Sequence, residues 1–111
     1  LGLKVPAESK GILQDVHWSG GAIGYFPTYS LGNLYSAQFY KAAKKALPKL
    51  DQQITEGNFG PFREWLKKNI HIHGKSHTAA SLVKKVTGED LNSQYFIDYI
   101  KGKYSELYKL K

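Results

Sequence analysis

From Leu31 onward, apolar residues recur at spacings of three and four, and a proline or glycine interrupts the pattern at each break. That feature restricts the chain to a run of amphipathic helices, because the period-2 alternation of half-buried strands is almost absent. Leu31, Leu34, Tyr35, Gln38, Ala42, Ala46 and Leu47 share one stripe, which predicts a helix over 31–47 stopped by Pro48. A shorter helix with Leu50 and Ile54 inward ends at Gly57. Gly60-Pro61 restarts the chain, and Phe62, Trp65, Leu66, Ile70 and His73 then line one face as far as Gly74. Ser76 or Thr78 caps a fourth helix, closed by Gly88. Asn92 or Ser93 caps a fifth, whose buried face is Phe96, Tyr99, Ile100, Tyr104, Leu107 and Tyr108. The expected fold is mainly α, with about five helices behind a glycine- and aromatic-rich segment in which only residues 22–26 read as extended.

That segment, residues 11–29, concentrates the chemistry. It places Gln14, Asp15, His17, Trp18, Tyr25 and Tyr29 around Gly20, Gly21 and Gly24. Glycines raise the entropic cost of ordering a backbone, and clustered polar groups need partners once buried. The same glycines let a loop close on a ligand, where an imidazole and phenols can donate to developing negative charge. His17 is the leading catalytic candidate, set against a histidine merely satisfied by Asp15 or Gln14. Tyr25 and Tyr29 can fold back to the same pocket as phenolic donors, or simply pack at the mouth of the following helix. Gln14 and Asp15 either orient His17 and bind a substrate end group or serve as caps and turn partners. Trp18 reads as a packing anchor.

His71, His73 and His77 invite a metal assignment, but their spacing straddles Gly74, and helix positions i and i+2 face apart. The helix macrodipole already favours cations at a C-terminus, so no metal ligand is assigned here. There is no His-Glu-x-x-His helix, no phosphate-cradling glycine loop, and no serine or cysteine nucleophile in a recognisable setting. Cysteine is absent, which excludes disulfides and thiolate metal sites and fits a reducing compartment. No apolar run approaches the roughly 20 residues that span a bilayer, and no secretory signal is visible, so a cytoplasmic protein without membrane partners is expected. The net charge of +7 arises wholly after residue 40, where fourteen Lys and Arg face seven acids. Only Arg63 is an arginine, and the lysines fall in pairs on polar helix faces, so solvated faces are favoured over a nucleic-acid surface.

The octapeptide Gly11-Ile12-Leu13-Gln14-Asp15-Val16-His17-Trp18 resembles the Gly-x-x-Gln-Asp-x-His-Trp motif of the thermostable zinc carboxypeptidase family, the carboxypeptidase Taq type. Residues 19–38, 63–74 and 78–91 are similar to the same family, so the resemblance covers nearly the whole chain. It implies the C-terminal portion of a protein several times longer: a subdomain over 1–111, with 1–30 as motif segment and 31–111 as helical part. The parent is then a metal-dependent carboxypeptidase, holding zinc or another divalent metal, that removes single residues from peptide C-termini and forms homodimers. The resemblance places Gln14, Asp15 and His17 in the substrate-binding and catalytic motif. Related oligopeptidases set a histidine and a tyrosine twelve residues apart at the tetrahedral intermediate; His17 and Tyr29 have that separation, and Tyr25 is a second candidate. The metal ligands lie in the missing part, so these 111 residues are expected to bind no catalytic zinc and to be inactive alone, their partners being peptides and the remainder of the parent. The competing expectation is an inactive helical binding module that holds nucleic acid through its lysine-rich faces.

Overall fold

The computed structural model describes residues 2–110, in two compact units divided between Ser30 and Leu31. Among the described residues there are six α-helices and no strand: α1 (Val16–Ser19), α2 (Pro27–Ala46), α3 (Leu50–Thr55), α4 (Gly60–Asn69), α5 (Ala79–Thr87) and α6 (Gln94–Tyr108). The mainly α expectation is met, with one short helix more than the periodicity indicated. Residues 22–26, read as extended, form turns instead. Gly21 at φ 81° and Gly24 at φ 75° bend the chain where an L side chain would be strained.

Proline and glycine set most of the other boundaries. α2 begins at Pro27, four residues before its apolar stripe, because the missing N–H of a proline costs nothing in a first turn. It ends at Ala46, since Leu47 precedes Pro48 and is pushed out of the helical region. Thr78 caps α5 by accepting from the Ser81 N–H at 3.2 Å, and Gly88 closes that helix at φ 87°. At α6, Asn92 supplies the side-chain oxygen, accepting from the Gln94 N–H at 2.9 Å. α4 stops at Asn69, short of Gly74. The run of Asn69, Ile70, His71 and Ile72 consists of poor helix formers, and the chain tightens there into a 3-10 turn over His71–His73.

In the unit after Ser30 the fully buried side chains are few: Ala43, Leu50 and Val83, with one polar group, Gln38. The Gln38 amide is fully paired. Its Nε2 donates to the Thr87 hydroxyl and the Asp90 carbonyl, each at 3.1 Å, and its Oε1 accepts from the Asn92 N–H at 2.9 Å. These bonds tie α2 to the turn between α5 and α6. Tyr40 on α2 donates to the Asp51 carboxylate of α3 at 2.7 Å, and Lys44 pairs with the same carboxylate. Lys44 and Tyr40 hold that carboxyl below its usual range.

The expected burial of α6 holds only at its start: Phe96 is half-buried and, with Tyr99, lines a cavity shared with α2 and α4, whereas Tyr99, Leu107 and Tyr108 are 53%, 63% and 64% exposed. Trp18, expected as a packing anchor, is likewise 58% exposed.

Replacing Gln38 by Leu keeps the volume but orphans the Asn92 N–H. At about 1–3 kcal/mol per unsatisfied buried group, the midpoint of urea unfolding should fall by an equivalent amount. A second expectation concerns Tyr40, whose phenol is pushed up to about 12 by burial and by the Asp51 carboxylate. A raised pKa means the neutral phenol is favoured in the folded state. Its contribution is therefore complete below the ordinary phenol value of 10.0 and lost as pH rises through about 12. Ultraviolet titration should show one tyrosine ionising last, and that step should vanish in Tyr40→Phe.

Candidate active site

The first unit is built by short turns. Two 3-10 turns, Glu8–Lys10 and Ile12–Gln14, flank Gly11 and deliver Asp15 in an extended conformation. Asp15 then caps α1, its Oδ1 accepting from the His17 N–H at 2.7 Å. After Gly20 the chain reverses, with the Ala22 N–H donating to the His17 carbonyl at 2.7 Å. The reversal returns Tyr25, Phe26 and Tyr29 to the His17 ring.

His17 is held at both nitrogens. Nδ1 lies 3.1 Å from Asp15 Oδ1, and Nε2 lies 3.0 Å from the Tyr29 hydroxyl. When Nδ1 carries the proton towards Asp15, Nε2 is left to accept from the phenol, so a single proton lies between imidazole and tyrosine. The Asp15 carboxyl is held below its usual range, first by the His17 N–H it accepts and then by the imidazole. Three aromatic rings fix the imidazole plane. Phe26 lies at 5.0 Å, Tyr29 at 5.9 Å edge-on, and Tyr25 at 6.4 Å in a stacked arrangement, with Tyr25 meeting Tyr29 edge-on at 5.3 Å.

The structure thus brings together Asp15, His17, Tyr25 and Tyr29, with Tyr29 presenting its hydroxyl to the imidazole and Tyr25 its ring. Gln14 stands apart: its Nε2 donates to the Ser9 carbonyl at 2.6 Å, the local turn contact weighed as its simpler role. Phe26 escaped the sequence reading. Its place between Tyr25 and Tyr29 in the same aromatic cluster was the available signal.

The other histidines gather no ligand set. His73 and His77 meet edge-on at 5.3 Å, and the Lys85 ammonium sits 3.1 Å from His77 Nε2. Desolvation, then Lys85 and His77, hold His73 below the usual imidazole range. Among the described residues no three His, Asp or Glu side chains are grouped so as to hold a metal ion. No described helix is long and apolar enough to cross a membrane.

The family described as Carboxypeptidase Taq (M32) metallopeptidase matches residues 1–104. The chain belongs to that family. It is 46% identical over 110 residues to Carboxypeptidase 1 of Bacillus subtilis (strain 168), covering 99% of this chain and 22% of that protein. It is 44% identical over 108 residues to Thermostable carboxypeptidase 1 of Thermus thermophilus, covering 97% of this chain and 21% of that protein. Among solved structures, the M32 carboxypeptidase of Deinococcus radiodurans R1 superposes with a TM-score of 0.86 at 41% identity, over 99% of this chain and 22% of that one. Trypanosoma cruzi Metallocarboxypeptidase 1 gives 0.82 at 38% identity, over 94% and 22%. The chain therefore spans about a fifth of the length of its relatives.

Asp15→Ala should remove both the cap and the imidazole partner, whereas Asp15→Asn keeps an N-cap acceptor. Amide hydrogen exchange at His17 should quicken markedly in the alanine variant and little in the asparagine one. Because the folded pKa is depressed, the carboxylate's contribution is present above the ordinary 3.8 and lost as pH falls through the lower folded value.

Proposed function

We propose that these residues work as part of a longer metal-dependent carboxypeptidase that releases single residues from peptide C-termini. In that enzyme His17 and Tyr29 stabilise the oxyanion of the tetrahedral intermediate. One observation carries this: an imidazole anchored to Asp15 at 3.1 Å faces a phenol at 3.0 Å, inside a segment matched by a peptidase family.

The chemistry follows from the donors. Attack on a peptide carbonyl puts a full charge on its oxygen, and a donor already held beside it needs only a small rotation to meet it. Tyr29 Oη–H turns from His17 Nε2 to that oxygen, while Asp15 keeps the imidazole in place. Tyr25 and Phe26 hold the ring planes and reduce the water around the pair. Gln14 keeps its carbonyl oxygen for a substrate N–H, its amide being tied to Ser9.

The catalytic metal, zinc or another divalent ion, is assigned to the remainder of the parent chain, in keeping with the lack of a three-residue His, Asp or Glu group among the described residues. The isolated residues are accordingly assigned no hydrolysis of their own, and the remainder of the parent chain is their first partner. A homodimeric, cytoplasmic parent accords with the family resemblance and with the absence of cysteine.

In the full-length enzyme, Tyr29→Phe removes the oxyanion donor and His17→Phe the imidazole that positions it; each should lower kcat by about 10²- to 10³-fold, with a much smaller change in KM. Steady-state kinetics on a C-terminally blocked and an unblocked peptide checks both the step and the carboxypeptidase class. Unchanged kcat in the two variants would overturn the assignment.

A further inference from the structure

From Trp65 to Gly88 the sequence holds no acid, but five lysines and three histidines. Basic groups in such a run can stay apart in water, where like charges are screened. The fold instead draws three of them together. His73, in the 3-10 turn, and His77, just ahead of α5, are both half-buried, and their rings meet edge-on with centroids 5.3 Å apart. The Lys85 Nζ, from the last turn of α5, lies 3.1 Å from His77 Nε2. No ion pair among the described residues includes any of the three, whereas the adjacent Lys84 has Asp90 at 3.1 Å.

A counter-charge is what this cluster lacks. An ammonium can only donate, so His77 must keep Nε2 bare and stay neutral in order to accept from it. His73 is held below the usual imidazole range by desolvation first, then by Lys85 and His77, and no described carboxylate opposes them. A negative ligand would lift both restraints at once. With a dianion between them, an imidazolium Nε2–H and the ammonium can each donate to a separate oxygen, and the His73 ring stands near enough to supply a third donor. A phosphate group brings close to two charges and three strong acceptor oxygens, where a carboxylate brings one charge and two oxygens. We propose that His73, His77 and Lys85 form a binding site for a phosphate dianion, either free or as the terminal group of a small monoester. The site is independent of the peptidase chemistry proposed above.

A chemical footprint tests it in the full-length protein. Limiting acetic anhydride at neutral pH modifies exposed lysines, and peptide mass spectrometry reads Lys84 and Lys85 separately. Lys84 is the internal reference, because its partner is Asp90. Saturating inorganic phosphate should slow acetylation of Lys85 by about fivefold or more, in line with an exposed ion pair, and that of Lys84 much less. Sodium chloride at matched ionic strength should not reproduce the difference. His73→Gln and His77→Gln should each raise the half-protecting phosphate concentration by about fivefold. Phenyl phosphate separates the two sources: protection equal to that by inorganic phosphate assigns a monoester, and protection by inorganic phosphate alone assigns the free ion.

Equal slowing of Lys84 and Lys85 overturns the site, as does the same effect from chloride. A half-protecting concentration that neither histidine variant moves also overturns it. So does a Lys85 that stays unmodified without phosphate, since it is then covered in the full-length protein. Should one histidine variant fail to fold, the wild-type footprint and the other variant still decide.

Discussion

The buried amide of Gln38 is the interaction on which the helical unit depends. A carboxamide taken out of water costs more than its packing returns unless all its hydrogen-bonding capacity is used, and here donor and acceptor are both engaged. Its partners lie about fifty positions away in sequence, so the contact joins segments that local periodicity could not have brought together. With Ala43, Leu50 and Val83 as the other fully buried side chains, apolar area alone specifies the arrangement weakly. A polar group satisfied in one geometry only supplies the missing uniqueness.

Where local chemistry dictates structure, the sequence was legible. Pro61 at a helix start, Thr78 as a cap, and Gly57 and Gly88 at helix ends each act through their own backbone constraint, whatever surrounds them. The misses share a different origin. Periodicity located α2 by its apolar stripe, yet the helix starts where Pro27 allows, ahead of any buried side chain. It also carried α4 on to Gly74, because Ile70 and His73 keep the apolar spacing although their backbone has left the helix. An amphipathic pattern identifies the face that can be buried, not the element that will cover it, and α6 shows the difference. Its tyrosines form a well-spaced stripe that stays in contact with solvent, two of them stacked on one another at 5.8 Å.

At the site, residue types and spacing pointed to Asp15, His17, Tyr25 and Tyr29, but not to their mutual geometry. A twelve-residue separation across three glycines is compatible with many closures. The one adopted depends on positive φ at Gly21 and Gly24, and a glycine's presence does not disclose which conformation it takes. The choice between the two tyrosines is likewise a matter of tertiary geometry: Tyr29 lies in the first turn of α2 and its hydroxyl reaches His17 Nε2, whereas Tyr25 lies in the preceding turn and offers a ring.

Proton accounting decides whether such a pair can serve as a ready donor. The Tyr29 hydroxyl is engaged by His17 Nε2, so in the proposed role a substrate oxyanion would have to displace that bond. An intramolecular hydrogen bond of this kind contributes about 0.5–1.5 kcal/mol net, and His17 is a third exposed, which places it at the lower end. A single oxyanion donor is worth about 2.7–4 kcal/mol in the transition state. The exchange is therefore favourable only once charge develops on the carbonyl oxygen, and close to neutral against an uncharged carbonyl. In the proposed role, a phenol parked on an imidazole would be selective for the intermediate over the ground state, and Asp15, by holding the imidazole, would return the pair to the same arrangement after each turnover.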